Sequence, residues 1–125
     1  MKVSDVIACL SAIAPPEYAD ESDPIGLQLG SSDSAVRTVI LCVTADEQAV
    51  ELARRRRAEL IITHHPVIYN PLDSLADETY PASLLSVLVR LGVAVFSAHT
   101  NLDVAPGGVN DALAERACVC ERLNR

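Results

Sequence analysis

With 125 residues, half of them hydrophobic and only three Tyr and one Phe among the aromatics, the chain suits one domain with an aliphatic core. A net charge of −7 argues against nucleic acid and anionic membrane as partners, since both want clustered positive charge, and it suits the attraction of cations. No apolar run reaches the roughly 20 residues of a bilayer span. Met1-Lys2-Val3-Ser4-Asp5 places an acid where a signal peptide has its apolar core, so a cytoplasmic setting is expected.

Val3, Val6, Ile7, Leu10 and Ile13 keep helical spacing, Ser4 can cap them, and Pro15-Pro16 ends the segment. Glu17 to Ser34 is rich in Pro, Asp, Ser and Gly without apolar periodicity and reads as a loop, with Gly26 and Gly30 making turns. Val36 to Val43 is the first expected strand. Thr44 and Glu47 have capping-box spacing, and the helix they open runs to about Arg57. Its Arg54–Arg57 cluster opposes the negative helix end and reads as a solvated face. Glu59 to Thr63 is the second strand. Ala82 to Leu91 reads as a helix closed by Gly92, and Val93 to Ala98 as the third strand. Gly107-Gly108 precedes a last helix from about Val109 to Arg122, whose Val109, Ala112, Leu113 and Ala117 are candidates for an exposed apolar patch. Cys9 and Cys42 sit in apolar patterns and read as buried thiols, whereas Cys118-Val119-Cys120 is a lone C-x-C with no second pair to complete a metal site.

Strand and helix alternate, which describes a single α/β domain over residues 1–125 with a mainly parallel sheet, right-handed crossovers and helices on its faces. Ligands of such sheets bind beyond the carboxyl ends of the strands. Two stretches fall there. Leu60-Ile61-Ile62-Thr63-His64-His65-Pro66 is a β-branched run ending in two imidazoles and a proline. If the backbone is still extended, consecutive rings point to opposite sides, so each can ligate a different ion of a close pair. Ser97-Ala98-His99-Thr100-Asn101-Leu102-Asp103 stands in the same position one unit later, so all three histidines of the chain fall at two strand exits. The plainer alternative is that histidines at strand ends only bond loop carbonyls.

Two imidazoles and a carboxylate suit zinc, iron(II), manganese or nickel, and a close pair of such ions can hold a bridging water. In that site His64 and His65 are neutral ligands and Asp103 an anionic one. His99 stands behind the ligands, faces the substrate as a base, or is structural, while Thr100 and Asn101 orient the ligands by hydrogen bonds. Gly107-Gly108 lets backbone approach closely or simply starts the helix.

Ile62-Thr63-His64-His65-Pro66 and the run from His99 through Pro106-Gly107-Gly108-Val109-Asn110-Asp111 closely resemble the signature stretches of the Nif-three-like dinuclear-metal family. Members of that family carry the name of type-two GTP cyclohydrolase homologues. Ile25-Gly26-Leu27-Gln28-Leu29-Gly30 is similar to the N-terminal motif of the family, although Pro24 replaces an asparagine and the usual tryptophan is missing. The resemblance implies an α/β fold and puts His64, His65 and Asp103 on metal-ligating positions of a two-ion centre. It also implies a homo-oligomer built as a ring-shaped hexamer, acting on a small-molecule substrate of unsettled identity as a hydrolase or cyclohydrolase.

Family members continue into a second half that supplies another His and a Glu to the metals, so this chain is expected to be the N-terminal half of the fold. No histidine follows His99, and the late Glu115 and Glu121 belong to the last expected helix. Three ligands serve two ions that each want at least four, so water or a neighbouring subunit completes the site. The alternative is a truncated or degenerate member that acts as a non-catalytic folding or interaction module.

Overall fold

The computed structural model describes residues 1–76 and 78–117. Cys118-Val119-Cys120 and the end of the last expected helix lie outside the described residues. Along the chain run α1 (Val3–Ile13), a 3-10 turn (Pro16–Tyr18), β1 (Gly26–Leu29), β2 (Val39–Cys42), α2 (Glu47–Arg56) and β3 (Leu60–Thr63). They are followed by α3 (Ala82–Leu91), β4 (Ala94–Ser97), α4 (Thr100–Val104) and α5 (Val109–Arg116). The strands form one sheet in the order β1-β4-β3-β2, in which β2, β3 and β4 are parallel and β1 runs antiparallel to β4.

The expected strands and long helices are present, with strand ends trimmed. The segment from Glu17 to Ser34, read above as a loop, instead contains the 3-10 turn and β1. Four half-buried residues give β1 little alternation of its own; pairing with β4 makes it a strand. Gly26 opens it and Gly30 follows it, with φ of 97° and 90°, and Gly30 also lies so close to β4 that an added Cβ would stand 2.7 Å from that of Ala94.

Two caps differ from expectation. Ser4 lies inside the first turn of α1, and the Lys2 N–H donates to the Asp5 carboxylate at 2.7 Å. Asp46, rather than Thr44, caps α2 by accepting from the Ala49 N–H at 2.8 Å. At the other end Arg54, Arg55 and Arg56 fill the last turn, all exposed, and Arg54 makes a two-pronged contact with Glu51.

Alternation along the parallel strands divides the core between the two sheet faces. Ile40, Ile61 and Val95 pack on Val50 and Ala53 of α2 and on Leu84, Leu85 and Leu88 of α3. Leu60, Ala94 and Phe96 pack on Val3 and on the half-buried Val6, Ile7 and Leu10 of α1. Helix α1 leaves the β2 edge bare, where Leu41 is 74% exposed beside Ile62. Cys9 is exposed rather than buried because it lies off the packed stripe of α1, and Cys42 is half-buried against the α2–α3 core. The apolar side chains of α5 are open to solvent, Val109 at 39% and Leu113 at 64%. Among the described residues no helix is long and apolar enough to cross a membrane.

Glu59 anchors the start of β2 by accepting from the N–H groups of Thr38 at 2.9 Å and Arg37 at 3.0 Å. Those bonds, Thr38 first, favour the carboxylate and hold the Glu59 carboxyl below its usual range. A folded pKa below the unfolded value of about 4.3 contributes stability above that pH and loses it as pH falls through the folded value. Glu59→Gln is therefore expected to be less stable than the parent near pH 7, with the gap closing below about pH 4. Urea midpoints across that range measure it; a gap that does not change with pH would contradict this account.

Candidate metal centre

β3 and β4 pair in register, Thr63 beside Ser97, so the residues that follow leave the sheet side by side. Their backbone stays tied. The His64 N–H donates to the Cys42 carbonyl at 3.2 Å, the His65 N–H to Val43 at 2.8 Å, and the Ala98 N–H to Thr63 at 3.0 Å. The buried Ser97 hydroxyl donates to the His64 carbonyl at 2.9 Å. Here one expectation is corrected. The strand ends at Thr63 and the chain bends at residues 64 and 65, so the two rings do not point to opposite sides. They lie 5.1 Å apart between centroids, and the His99 ring meets them at 5.1 Å from His64 and 5.8 Å from His65.

Each ring turns Nδ1 to the protein. His64 Nδ1 lies 3.0 Å from the Ala98 carbonyl, His65 Nδ1 2.9 Å from the Thr44 hydroxyl, and His99 Nδ1 2.8 Å from Asp23 Oδ1. A carbonyl only accepts, so the His64 proton sits on Nδ1. Nε2 of all three rings is left for a ligand. One donor nitrogen from each ring lies within 4.8 Å of the others, which makes His64, His65 and His99 a group able to hold an ion.

Asp103, carried by α4, borders this group: its Oδ1 lies 3.6 Å from His64 Nε2. The Asp103 carbonyl accepts from the Asn110 side chain at 3.0 Å. Gly108 serves close approach, since a Cβ there would stand 2.0 Å from the Leu102 carbonyl oxygen. Thr100 and Asn101 act on the His99 loop rather than on the His64 and His65 rings. Asn101, 3% exposed, accepts from the His99 N–H at 3.0 Å and donates to the Ala14 carbonyl at 2.8 Å. Thr100 gives its N–H, at 3.0 Å, and its hydroxyl to the Asp23 carboxylate.

Two side chains outside the expected site set support it. Burial of the Asp23 side chain works against its ionised form; the Thr100 hydroxyl, the His99 ring and the Thr100 N–H outweigh that and lower its pKa. Gln28 accepts from the N–H groups of Val67 at 2.7 Å and Ile68 at 3.1 Å and donates to the carbonyls of Pro24 at 2.9 Å and Ile68 at 2.8 Å. It thereby anchors the segment that leaves His65. Both residues stand in or beside the N-terminal stretch singled out from the sequence, the only signal that pointed to them.

Fold and site together define an α/β protein with a histidine cluster at the carboxyl edge of a mainly parallel sheet. The chain belongs to the Duf34/NIF3 (NGG1p interacting factor 3) family, whose model matches residues 1–120. It is 42% identical over 118 residues to the GTP cyclohydrolase 1 type 2 homolog of Listeria innocua, covering 92% of this chain and 32% of the relative. It is 39% identical over 101 residues to the Helicobacter pylori protein named GTP cyclohydrolase 1 type 2, covering 81% and 41%. The solved Bacillus cereus protein related to NIF3 superposes with a TM-score of 0.89 at 36% identity, over 92% of this chain and 32% of that one. Reduced HcgD from Methanocaldococcus jannaschii does so with 0.85 at 31% identity, over 92% and 46%. The chain thus spans between 32% and 46% of the length of these relatives.

Proposed function

We propose that the chain carries a divalent-metal site built from His64, His65 and Asp103, with His99 adjoining them, and that this site serves a hydrolase or cyclohydrolase reaction on a small molecule. The observation that carries the reading is the convergence of three imidazole nitrogens within 4.8 Å, each ring braced through Nδ1. The donor set fits: three imidazole nitrogens, with the Asp103 carboxylate beside His64, match the preferences of zinc, iron(II), manganese or nickel. A second ion of a dinuclear centre would draw further donors from water or from a neighbouring subunit of a homo-oligomer such as a hexameric ring. A divalent ion held here would lower the pKa of a bound water and polarise a carbonyl or phosphoryl oxygen.

The protein residues have separate tasks. His64 and His65 present Nε2, Asp103 offsets part of the cationic charge, and Asn101 and Gln28 hold the two loops in place. The cyclohydrolase names of the relatives support the reaction class. A cytoplasmic setting agrees with the free thiols of Cys9 and Cys42.

Calorimetric titration with Zn²⁺ and Mn²⁺ tests the site. The parent protein is expected to take up at least one ion per chain, and His65→Ala and Asp103→Ala each to weaken binding by roughly tenfold or more, with circular dichroism unchanged. Equal affinity in all three proteins would remove the assignment.

A further inference from the structure

We propose that Asp23 is a positioning residue for the metal site, holding the His99 ring so that its Nε2 joins His64 and His65 as a ligand. The inference rests on the proposed metal site and goes beyond it, because Asp23 belongs to none of the ligand-bearing loops. Its carboxylate reaches His99 from a loop 76 residues away and is 4% exposed.

A carboxylate oxygen accepts, so His99 carries a proton on Nδ1, and in the neutral ring that leaves the Nε2 lone pair for a metal. One bond alone would let ring and carboxylate swing together. Thr100 prevents that by giving both its N–H and its hydroxyl to Asp23, which leaves the carboxylate a single orientation. The other two rings are braced differently, His64 by a carbonyl and the exposed His65 by a hydroxyl that can donate or accept. Among the described residues His99 is the ring of the cluster whose Nδ1 meets a carboxylate. Carboxylate support of this kind orients an imidazole for a metal and typically matters about ten- to a hundredfold in affinity.

A purely structural Asp23 would tie its loop to α4 through Thr100 and leave metal affinity alone. Zn²⁺ titration and the visible spectrum of the Co²⁺-loaded protein separate the two roles. Asp23→Asn, close in shape but uncharged, is expected to weaken Zn²⁺ binding by about ten- to a hundredfold while the fold persists. It is expected to alter the Co²⁺ spectrum as His99→Gln does, and to have no further effect on affinity in the His99→Gln background. Thr100→Val, which removes the hydroxyl bond to the carboxylate and keeps the backbone N–H bond, covers the case in which Asp23→Asn does not fold. It is expected to lose severalfold in Zn²⁺ affinity, again only while His99 is present. Parent-like Zn²⁺ affinity in the variant, or a loss that persists without His99, overturns the inference and leaves the metal site standing. If the parent protein binds no Zn²⁺, the site itself fails and the role of Asp23 fails with it.

Discussion

Gly108→Ala is expected to destabilise the chain by roughly 3 kcal/mol and to displace Asp103 with it. Gly108 has an ordinary negative φ of −76°, so its glycine is required by space and not by handedness. A methyl group there would stand 2.0 Å from the Leu102 carbonyl oxygen and 2.7 Å from that of Ala105. Both atoms are backbone and cannot swing aside as a flexible side chain does, so the turn between α4 and α5 must open. Leu102 directly precedes Asp103, and the Asn110 bond to the Asp103 carbonyl spans the same turn. Gly107 is the natural control: its φ is 73°, yet nothing lies within 4 Å of an added Cβ. Gly107→Ala should cost only about 1–2 kcal/mol, from left-handed strain alone. Urea unfolding of the two variants ranks them. If Gly107→Ala were the more damaging, the steric account would be wrong.

Gln28→Met is the second large effect, expected at about 2–3 kcal/mol. Methionine fills nearly the same volume but makes none of the four hydrogen bonds. The N–H groups of Val67 and Ile68 and the carbonyls of Pro24 and Ile68 lose their partner together. Because the site is half-buried, water replaces some of those bonds, which keeps the cost below the sum of four orphaned groups. The local signature is more specific than the stability loss. Amide hydrogens of Val67 and Ile68 should exchange much faster, whereas the exposed Gln48→Met should leave both exchange and stability near the parent. Unaltered exchange at residues 67 and 68 would mean that something else anchors the chain beyond His65.

Much of this architecture can be read from local pattern. The β-branched run of β3, the apolar spacing of α3 and the left-handed Gly92 behind it each declare themselves within ten residues. The histidines could be placed at the sheet edge because β3 and β4 are themselves legible. What escaped has its cause far away in the chain. β1 is a strand through β4, and the five-residue α4 is preceded by a loop held by Asp23, which no periodicity announces. The cap on α2 went to Asp46 where spacing favoured Thr44, since both residues suit the role and geometry chose between them. The meeting of His64 with His65 depends on a two-residue bend that the strand-like Ile-Ile-Thr run conceals.

The antiparallel docking of β1 on β4 sets an order of assembly. Gly26 has to wait for Ser97, and Asp23 for His99, before either finds its mate. Contacts that close so long a loop form late in folding, after the parallel strands and the helices between them. As a ribosome delivers the chain, β1 and Asp23 would lack their partners on β4 and at His99 until nearly everything described here has emerged. The carboxylate that meets His99 is thus among the last fastenings of the molecule to form, although once made it is well buried.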